Sequence, residues 1–340
     1  MRERERMNIN FTYFLNKGIY FLFSDYRVET IEEILKCKIV MSKGRYYPKY
    51  ISYLIEGTID ETKIKELESI LKHHVEFKYE NYNYILKVFH QQLKDFYEYE
   101  YHKTKDMILG EAYGGLARIP INSEQNNYLI VGASGSGKSC LAQSIIYNLI
   151  HNNVKVVICD NKSSYDYDFL PAPLYKGVKE CIKAINDFEK EIDGRQKENK
   201  IHKPYLLIID EIFPFLVIDS KDKKKIYNQL ALIMSKCRSV NCHVMIITQR
   251  ATTDIIPSMI LANINNRICL QTSSKQESIN VLNYDIAFDI NKVGRGYLAI
   301  NGKLKEFQSY YLDKSKYERK VEEEILCQDV QNVTDDSMIF

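Results

Sequence analysis

The chain carries a series of short, uninterrupted apolar runs, each ending in polar residues, set apart by stretches whose apolar positions recur three and four residues apart. Residues 128–131, 154–160, 205–211 and 243–248 are runs of the first kind and predict buried strands, and 264–270 is a further strand candidate. Leu141, Ile145, Ile146 and Leu149 predict an amphipathic helix after the first run, and 176–191 and 226–237 predict helices after the second and third. Residues 296–300 add a further strand beyond a Gly294-Arg295 turn. Strands alternating with helices in this way predict an α/β domain with a mostly parallel sheet.

The first hundred residues read differently. A helix over 60–72 places Ile64, Leu67, Ile70 and Leu71 on one face, and strands over 75–79 and 84–88 flank an asparagine-containing turn, which predicts a β-hairpin. Residues 92–105, charged and aromatic, predict a helix, and 108–121, with Gly110, Gly114 and Gly115, a turn-rich entry into the larger α/β domain. The expected organisation is a smaller α+β domain over 1–108, a larger domain over 109–318 and a charged, disordered tail over 319–340. Residues 11–23 are the most apolar segment, but Asn16, Lys17 and Gly18 interrupt them and they are shorter than the ~20 residues of a membrane span. They are expected in a core, and the leader MRERER lacks the apolar stretch of a secretion signal.

Composition narrows the picture only a little. With 340 residues, 45% hydrophobic and 27% charged, the chain can bury a sizeable core. A formal net charge of +2 announces no nucleic-acid partner, although a local basic surface would not register in that sum. Eight cysteines without a CxxC pair read as reduced thiols of a cytoplasmic protein. His73, His74, His90 and His102 have no acidic or cysteine partners at ligand spacing and read as surface or core histidines.

The chemistry concentrates at GASGSGKS, directly after the run 128–131. Gly132, Ala133, Ser134, Gly135, Ser136, Gly137, Lys138 and Ser139 fit G-x-x-x-x-G-K-S, a strand-to-helix loop whose backbone N–H groups wrap a phosphate chain. Glycines permit positive φ and close backbone approach, Lys138 offers a charge to the β and γ phosphates, and Ser139 a hydroxyl for Mg2+. Cys140 continues into a helix whose positive end faces the anion. The ligand implied is a nucleotide, ATP with Mg2+. At the end of the run 205–211, Asp210 suits a magnesium-supporting carboxylate, and Glu211 a base for the attacking water. Gln249, just past the run 243–248, stands where a polar group could sense the γ phosphate. Lys221, Lys223, Lys224 and Lys225 read as a solvated turn, with phosphate contact as the sharper alternative.

From 237 to 278 the chain reads CRSVNCHVMIITQRATTDIIPSMILANINNRICLQTSSKQES, which resembles the FtsK/SpoIIIE branch of the FtsK–HerA superfamily. GRGYLAI at 294–300 is similar to that family's GRGDML turn, and CDNK at 159–162 to its strand ending in DPK. The resemblance covers about 109–312. It implies a RecA-like P-loop ATPase working as a hexameric ring around double-stranded DNA, gripping phosphates without reading bases. It implies that Arg238 is a finger reaching a neighbour's nucleotide, with Arg267 a second candidate, and that Gln249 links hydrolysis to movement. Ala251 replaces a family proline, and Asn241 and Cys242 a tight glycine. Family members that segregate chromosomes carry membrane helices before the motor and a winged helix after it, and neither is seen here. The expected role is a compact, cytoplasmic DNA-transfer motor of a conjugative element or plasmid, recruited to a membrane channel or relaxase. A phage-type genome-packaging ATPase and a non-pumping ATP-dependent assembly switch are the alternatives. Residues 251–258 are the favoured DNA-contacting loop.

Overall fold

The computed structural model describes residues 27–39, 45–46, 50–56, 59, 61–71, 73–80, 83–89, 92–122, 127–198 and 200–317. The segment 11–23, His90 and the tail 319–340 lie outside the described residues. Two compact units emerge, one made by the described residues up to Leu93 with Tyr113–Gly115, the other by Lys94–Ala112 and the residues from Leu116 onward.

In the first unit, α1 (Arg27–Leu35) and α2 (Ile64–Leu71) accompany a sheet of β1 (Lys38–Ile39), β2 (Arg45–Tyr46), β3 (Tyr50–Glu56), β4 (Val75–Glu80) and β5 (Asn83–Phe89). The order is β1-β3-β5-β4, with β2 paired to β3. The hairpin read from the sequence is β4–β5, antiparallel, with Val75 opposite Val88 and Glu80 opposite Asn83. Period-2 alternation sends Ile51, Tyr53 and Ile55 of β3 and Leu86 and Val88 of β5 into one core with Ile31, Leu35, Leu67 and Leu71 of the helices. His74 is no bystander. Its Nδ1 lies 2.8 Å from Glu68 Oε1 and its Nε2 3.9 Å from Glu76 Oε1. Burial alone would depress its pKa, but hydrogen bonds donated to these two carboxylates, with their charge, outweigh that and raise it to about 9.

The second unit is built on one large sheet. Its parallel part contains β9 (Asn127–Val131), β10 (Lys155–Asp160), β11 (Leu174–Lys176), β12 (Tyr205–Asp210), β13 (Cys242–Thr248) and β14 (Asn266–Leu270), in the order β11-β10-β12-β13-β9-β14. The sheet continues antiparallel through β15 (Arg295–Ile300), β16 (Lys303–Tyr311), β7 (Met107–Ala112) and β8 (Gly115–Ile119), and β6 (Tyr97–Glu98) pairs parallel with β16. Alternate residues of each central strand divide between two cores. Tyr128, Ile130, Val156, Ile158, Leu206, Ile208, Met245 and Ile247 meet α3 (Lys138–His151). Leu129, Val131, Val157, Cys159, Leu207, Ile209, Val244 and Ile246 meet α4 (Val178–Gln196) and α5 (Ser220–Lys236). Helices on both faces explain why these strands read as continuous apolar runs.

Three sequence expectations need correction. Residues 92–105 form no helix, because their backbone is claimed by side chains of α3 and the residue just after it. His102 N–H donates to Asn148 Oδ1 at 3.1 Å, Asn148 Nδ2 to Thr104 O at 3.1 Å, and Asn152 Nδ2 to His102 O at 2.9 Å. With that segment over it, α3 is buried all round from Leu141 to Leu149 instead of along one stripe. The lysines at 221–225 are not a turn before a helix. They occupy its first turns, since the Asp219 carboxylate accepts from Lys221 N–H and starts α5 at Ser220. Finally, 107–119 is not merely turn-rich but contributes β7 and β8. Among the described residues the cysteines are free thiols, no three or more of His, Cys, Asp and Glu gather into a metal site, and no helix is long and apolar enough to cross a membrane.

Candidate nucleotide site

Parallel pairing brings the ends of four strands to one level. Asp160 is opposite Asp210, Asp210 is opposite Ile247, and Thr248 is opposite Val131. Asn161 and Glu211 come next on their strands, and Gln249 and Gly132 one residue beyond that level on theirs, so all four gather along the carboxyl edge of the sheet, where ligands of open α/β sheets bind.

The glycine-rich loop leaves β9 at Gly132 and enters α3 at Lys138, with Gly135 and Gly137 at φ +78° and +101°. It is pinned from two sides. Ala133 N–H donates to Gln271 O at 2.6 Å, and Gly294 N–H donates to Ser136 O at 2.9 Å. A Cβ on Gly132 would stand 2.5 Å from Ser136 Oγ, and one on Gly137 3.1 Å from Gly294 N, so this packing admits only glycine-sized residues there. Ser134 and Gly135 are exposed, Ala133, Gly137, Ser139 and Cys140 half-buried, and Ser136 buried. Ser136 Oγ is a buried hydroxyl with no partner among the described residues, which a phosphate oxygen would satisfy. Lys138 Nζ donates to Gly132 O at 2.6 Å and Ala133 O at 2.7 Å. Burial first, and the nearby Lys162 second, lower its pKa to about 8 against the pull of Glu211 and Asp210. The loop thus fits a phosphate chain, and the hard oxygen donors of Ser139 and Asp210 suit Mg2+.

Opposite the loop lie the two acids. Asp210 Oδ2 accepts from the buried Tyr167 hydroxyl at 3.0 Å. Burial raises the Asp210 pKa to about 6, while Lys162 and then the Tyr167 hydrogen bond act in the opposite sense. Glu211 is buried and takes φ +64°, a left-handed conformation that costs a residue with a Cβ about 1–2 kcal/mol. Neighbours over-determine it. Its N–H donates to Ile247 O at 2.9 Å, its O accepts from Asn161 Nδ2 at 2.8 Å, and its Oε1 accepts from Thr248 Oγ1 at 2.9 Å. Lys162 Nζ lies 3.5 Å from Glu211 Oε2 and 3.9 Å from Asp210 Oδ1.

Gln249 is half-buried one residue past β13, between the loop strand and the acidic strand in sheet order. The arginine candidates part company. Arg238, exposed in a short 3-10 turn (Cys237–Val240), precedes β13 and so stands at the amino edge of the sheet, about 20 Å of strand from its own loop. Arg267 spends its guanidinium on the carbonyls of Ile264, Val281 and Leu261, a structural use. In 251–258, Ala251, Ile255 and Ile256 are core residues, and the exposed tip is Thr253 and Asp254, which carries no cation. Sequence reasoning passed over Tyr167, Thr248 and the approach of Lys162 to the two acids. For the last, the CDNK similarity was the available signal.

A phosphate loop, an acidic strand one strand removed from it, and a polar residue on the strand between define a P-loop ATPase. Residues 105–299 match the FtsK/SpoIIIE family model, and the chain belongs to the FtsK/SpoIIIE family. It is 27% identical over 247 residues to the DNA translocase FtsK of Clostridium acetobutylicum, covering 63% of this chain and 32% of that protein. To the DNA translocase SpoIIIE of Bacillus subtilis it is 25% identical over 262 residues, covering 66% and 33%. The chain spans about a third or less of the length of these curated relatives. Among solved structures, the pCW3 conjugation coupling protein TcpA shares the fold at a TM-score of 0.61 and 18% identity, covering 88% of this chain and 99% of TcpA. EssC (ATPases 2 and 3) from Geobacillus thermodenitrificans does so at 0.53 and 14%, covering 79% and 53%.

Proposed function

We propose that this protein is an ATP-driven double-stranded DNA translocase that works as a ring, a hexamer on the family's pattern, in conjugative or plasmid DNA transfer. The observation that carries the reading is the meeting of the phosphate loop, Asp210, Glu211 and Gln249 at one edge of the sheet. In this reading the loop amides, Ser136 and Lys138 hold the phosphates of ATP. Ser139 and Asp210 would hold Mg2+, and the chemistry it would supply there is neutralisation of phosphate charge. Glu211 takes the proton of the attacking water, and Gln249, on the neighbouring strand end, responds to the γ phosphate. Arg238 faces away from its own loop, a placement that suits a finger offered to an adjacent subunit. The fold shared with TcpA over 88% of this chain supports a transfer role over a packaging role. A small domain over 1–108 would serve as adaptor to a relaxase or channel protein on the cytoplasmic side of the membrane, and 109–318 as the motor.

ATP hydrolysis measured with and without long double-stranded DNA, over a salt series, tests the proposal. We expect strong stimulation that fades with salt, because each phosphate contact releases a counterion. Lys138→Ala is expected to abolish it, and Glu211→Gln to abolish turnover while retaining ATPγS. Hydrolysis indifferent to DNA would refute translocation and favour an assembly switch.

A further inference from the structure

One side chain at the nucleotide site has no part in that hydrolytic scheme. Lys162 comes after β10 in a turn built by the buried Asp160, whose Oδ1 accepts from Lys162 N–H at 3.0 Å and whose Oδ2 accepts from Ser164 Oγ at 2.9 Å. The turn is also fastened to the acidic strand. Asn161 N–H donates to Asp210 O at 3.2 Å, and Asn161 Nδ2 to Glu211 O. Asn161 stands where the similar family motif has proline, and a proline could make neither bond. The ammonium of Lys162 is thereby delivered to one oxygen of the Glu211 carboxylate, while the Thr248 hydroxyl holds the other.

We propose that Lys162 is a positioning residue: with Thr248 it clamps the Glu211 carboxylate in the orientation that receives a proton from water. The inference rests on Glu211 as the base. A carboxylate held by one contact can swing about its terminal torsion, which is broad and two-fold, whereas two contacts on opposite oxygens fix the plane. Thr248 is the last residue of β13, next to Gln249, so the clamp joins the base to the strand end that would respond to the γ phosphate. Lys162 is one-third exposed while Glu211 and Asp210 are buried, so Lys162→Met takes a counter-charge from both carboxylates, and Lys162→Arg, which keeps it, is the matched control.

The test is a set of variants of the full chain, Lys162→Met, Lys162→Arg, Thr248→Val and the Met/Val double, assayed for ATP hydrolysis with DNA and for ATPγS affinity by calorimetry. Lys162→Met is expected to lower kcat about 10- to 100-fold, the scale of a misplaced reacting group, with KM and ATPγS affinity within about twofold of the parent. Lys162→Arg should recover most of kcat, since a guanidinium keeps the charge and the donor. The double variant should lose less than the product of the single losses, because both residues act on one carboxylate. A Lys162→Met protein with undiminished kcat, a loss expressed in KM or ATPγS affinity instead, or losses that multiply independently would each overturn the clamp. Glu211→Gln run alongside separates the two readings. If it turns over normally, the base assignment falls, and if it is inactive while Lys162→Met is normal, only the clamp falls.

Discussion

Gly294→Ala measures how far the phosphate loop depends on the distant turn that supports it. Gly294 has φ +76°, and a Cβ there would stand 2.4 Å from Ser309 Oγ and 2.9 Å from Gln308 Nε2. Left-handed backbone costs an alanine about 1–2 kcal/mol, and forcing β16 aside adds about 1–3 kcal/mol. Gly302 is the matched control. It has the same φ of +76° in the β15–β16 turn, but a Cβ there meets nothing within 4 Å, so Gly302→Ala incurs the backbone cost alone. At about 2–4 °C per kcal/mol for a unit of this size, Gly302→Ala should lower the melting temperature by about 2–8 °C and Gly294→Ala by roughly twice as much. The two should differ more in ligand binding. Losing the Gly294 N–H to Ser136 O bond removes about 1 kcal/mol from the loop, or roughly fivefold in ATPγS affinity, whereas Gly302→Ala should bind as the parent does. Differential scanning and titration calorimetry on both variants decide it. Equal melting shifts together with an unchanged ATPγS affinity in Gly294→Ala would refute the reasoning.

The geometry gives two further expected outcomes. Arg238→Ala is expected to cost about 10³-fold in DNA-stimulated turnover of assembled protein without weakening ATPγS, and mixing it with Lys138→Ala subunits should restore part of the rate. Full turnover by the unmixed variant would place the finger elsewhere. The second concerns pH. The folded pKa of His74, about 9, exceeds its ordinary 6.5, so its stabilisation is complete below about pH 6.5 and is lost as pH rises through 9. Thermal denaturation from pH 6 to 9.5 should therefore show a decline in the parent that His74→Gln lacks, and parallel curves would count against the ion pairs.

The legible part of this protein was the part whose physics is local. Continuous apolar runs gave β9, β10, β12 and β13 of the parallel sheet, and G-x-x-x-x-G-K-S gave the loop, because a strand buried on both faces and a phosphate-wrapping turn restrict residue types at fixed spacing. Apart from β15, read at 296–300, the antiparallel wing escaped notice. KLKEFQSYY of β16 has no continuous apolar run, and one of the two strands that cover it, β7, is remote in sequence. The same reason defeats a local reading of 92–105, whose polar groups face Asn148 and Asn152 rather than one another. At the site, Asp210 and Glu211 were readable from a strand end. Lys162 and Thr248 acquire meaning only when β10, β12 and β13 come into register, and no spacing along the chain encodes that.

The pairing of β6 with β16 has a consequence for synthesis. Tyr317 hydroxyl donates to Tyr99 O across 218 residues of intervening chain, and the turn that braces the phosphate loop is itself held by β16 through Ser309 N–H to Gly294 O. Contacts so far apart form late, after the entropy of a long loop has been overcome. A nascent polypeptide that has emerged from the ribosome only as far as β14 carries the whole G-x-x-x-x-G-K-S sequence without the brace that shapes it. The support for the phosphate loop is thus completed only by β16, the last described strand.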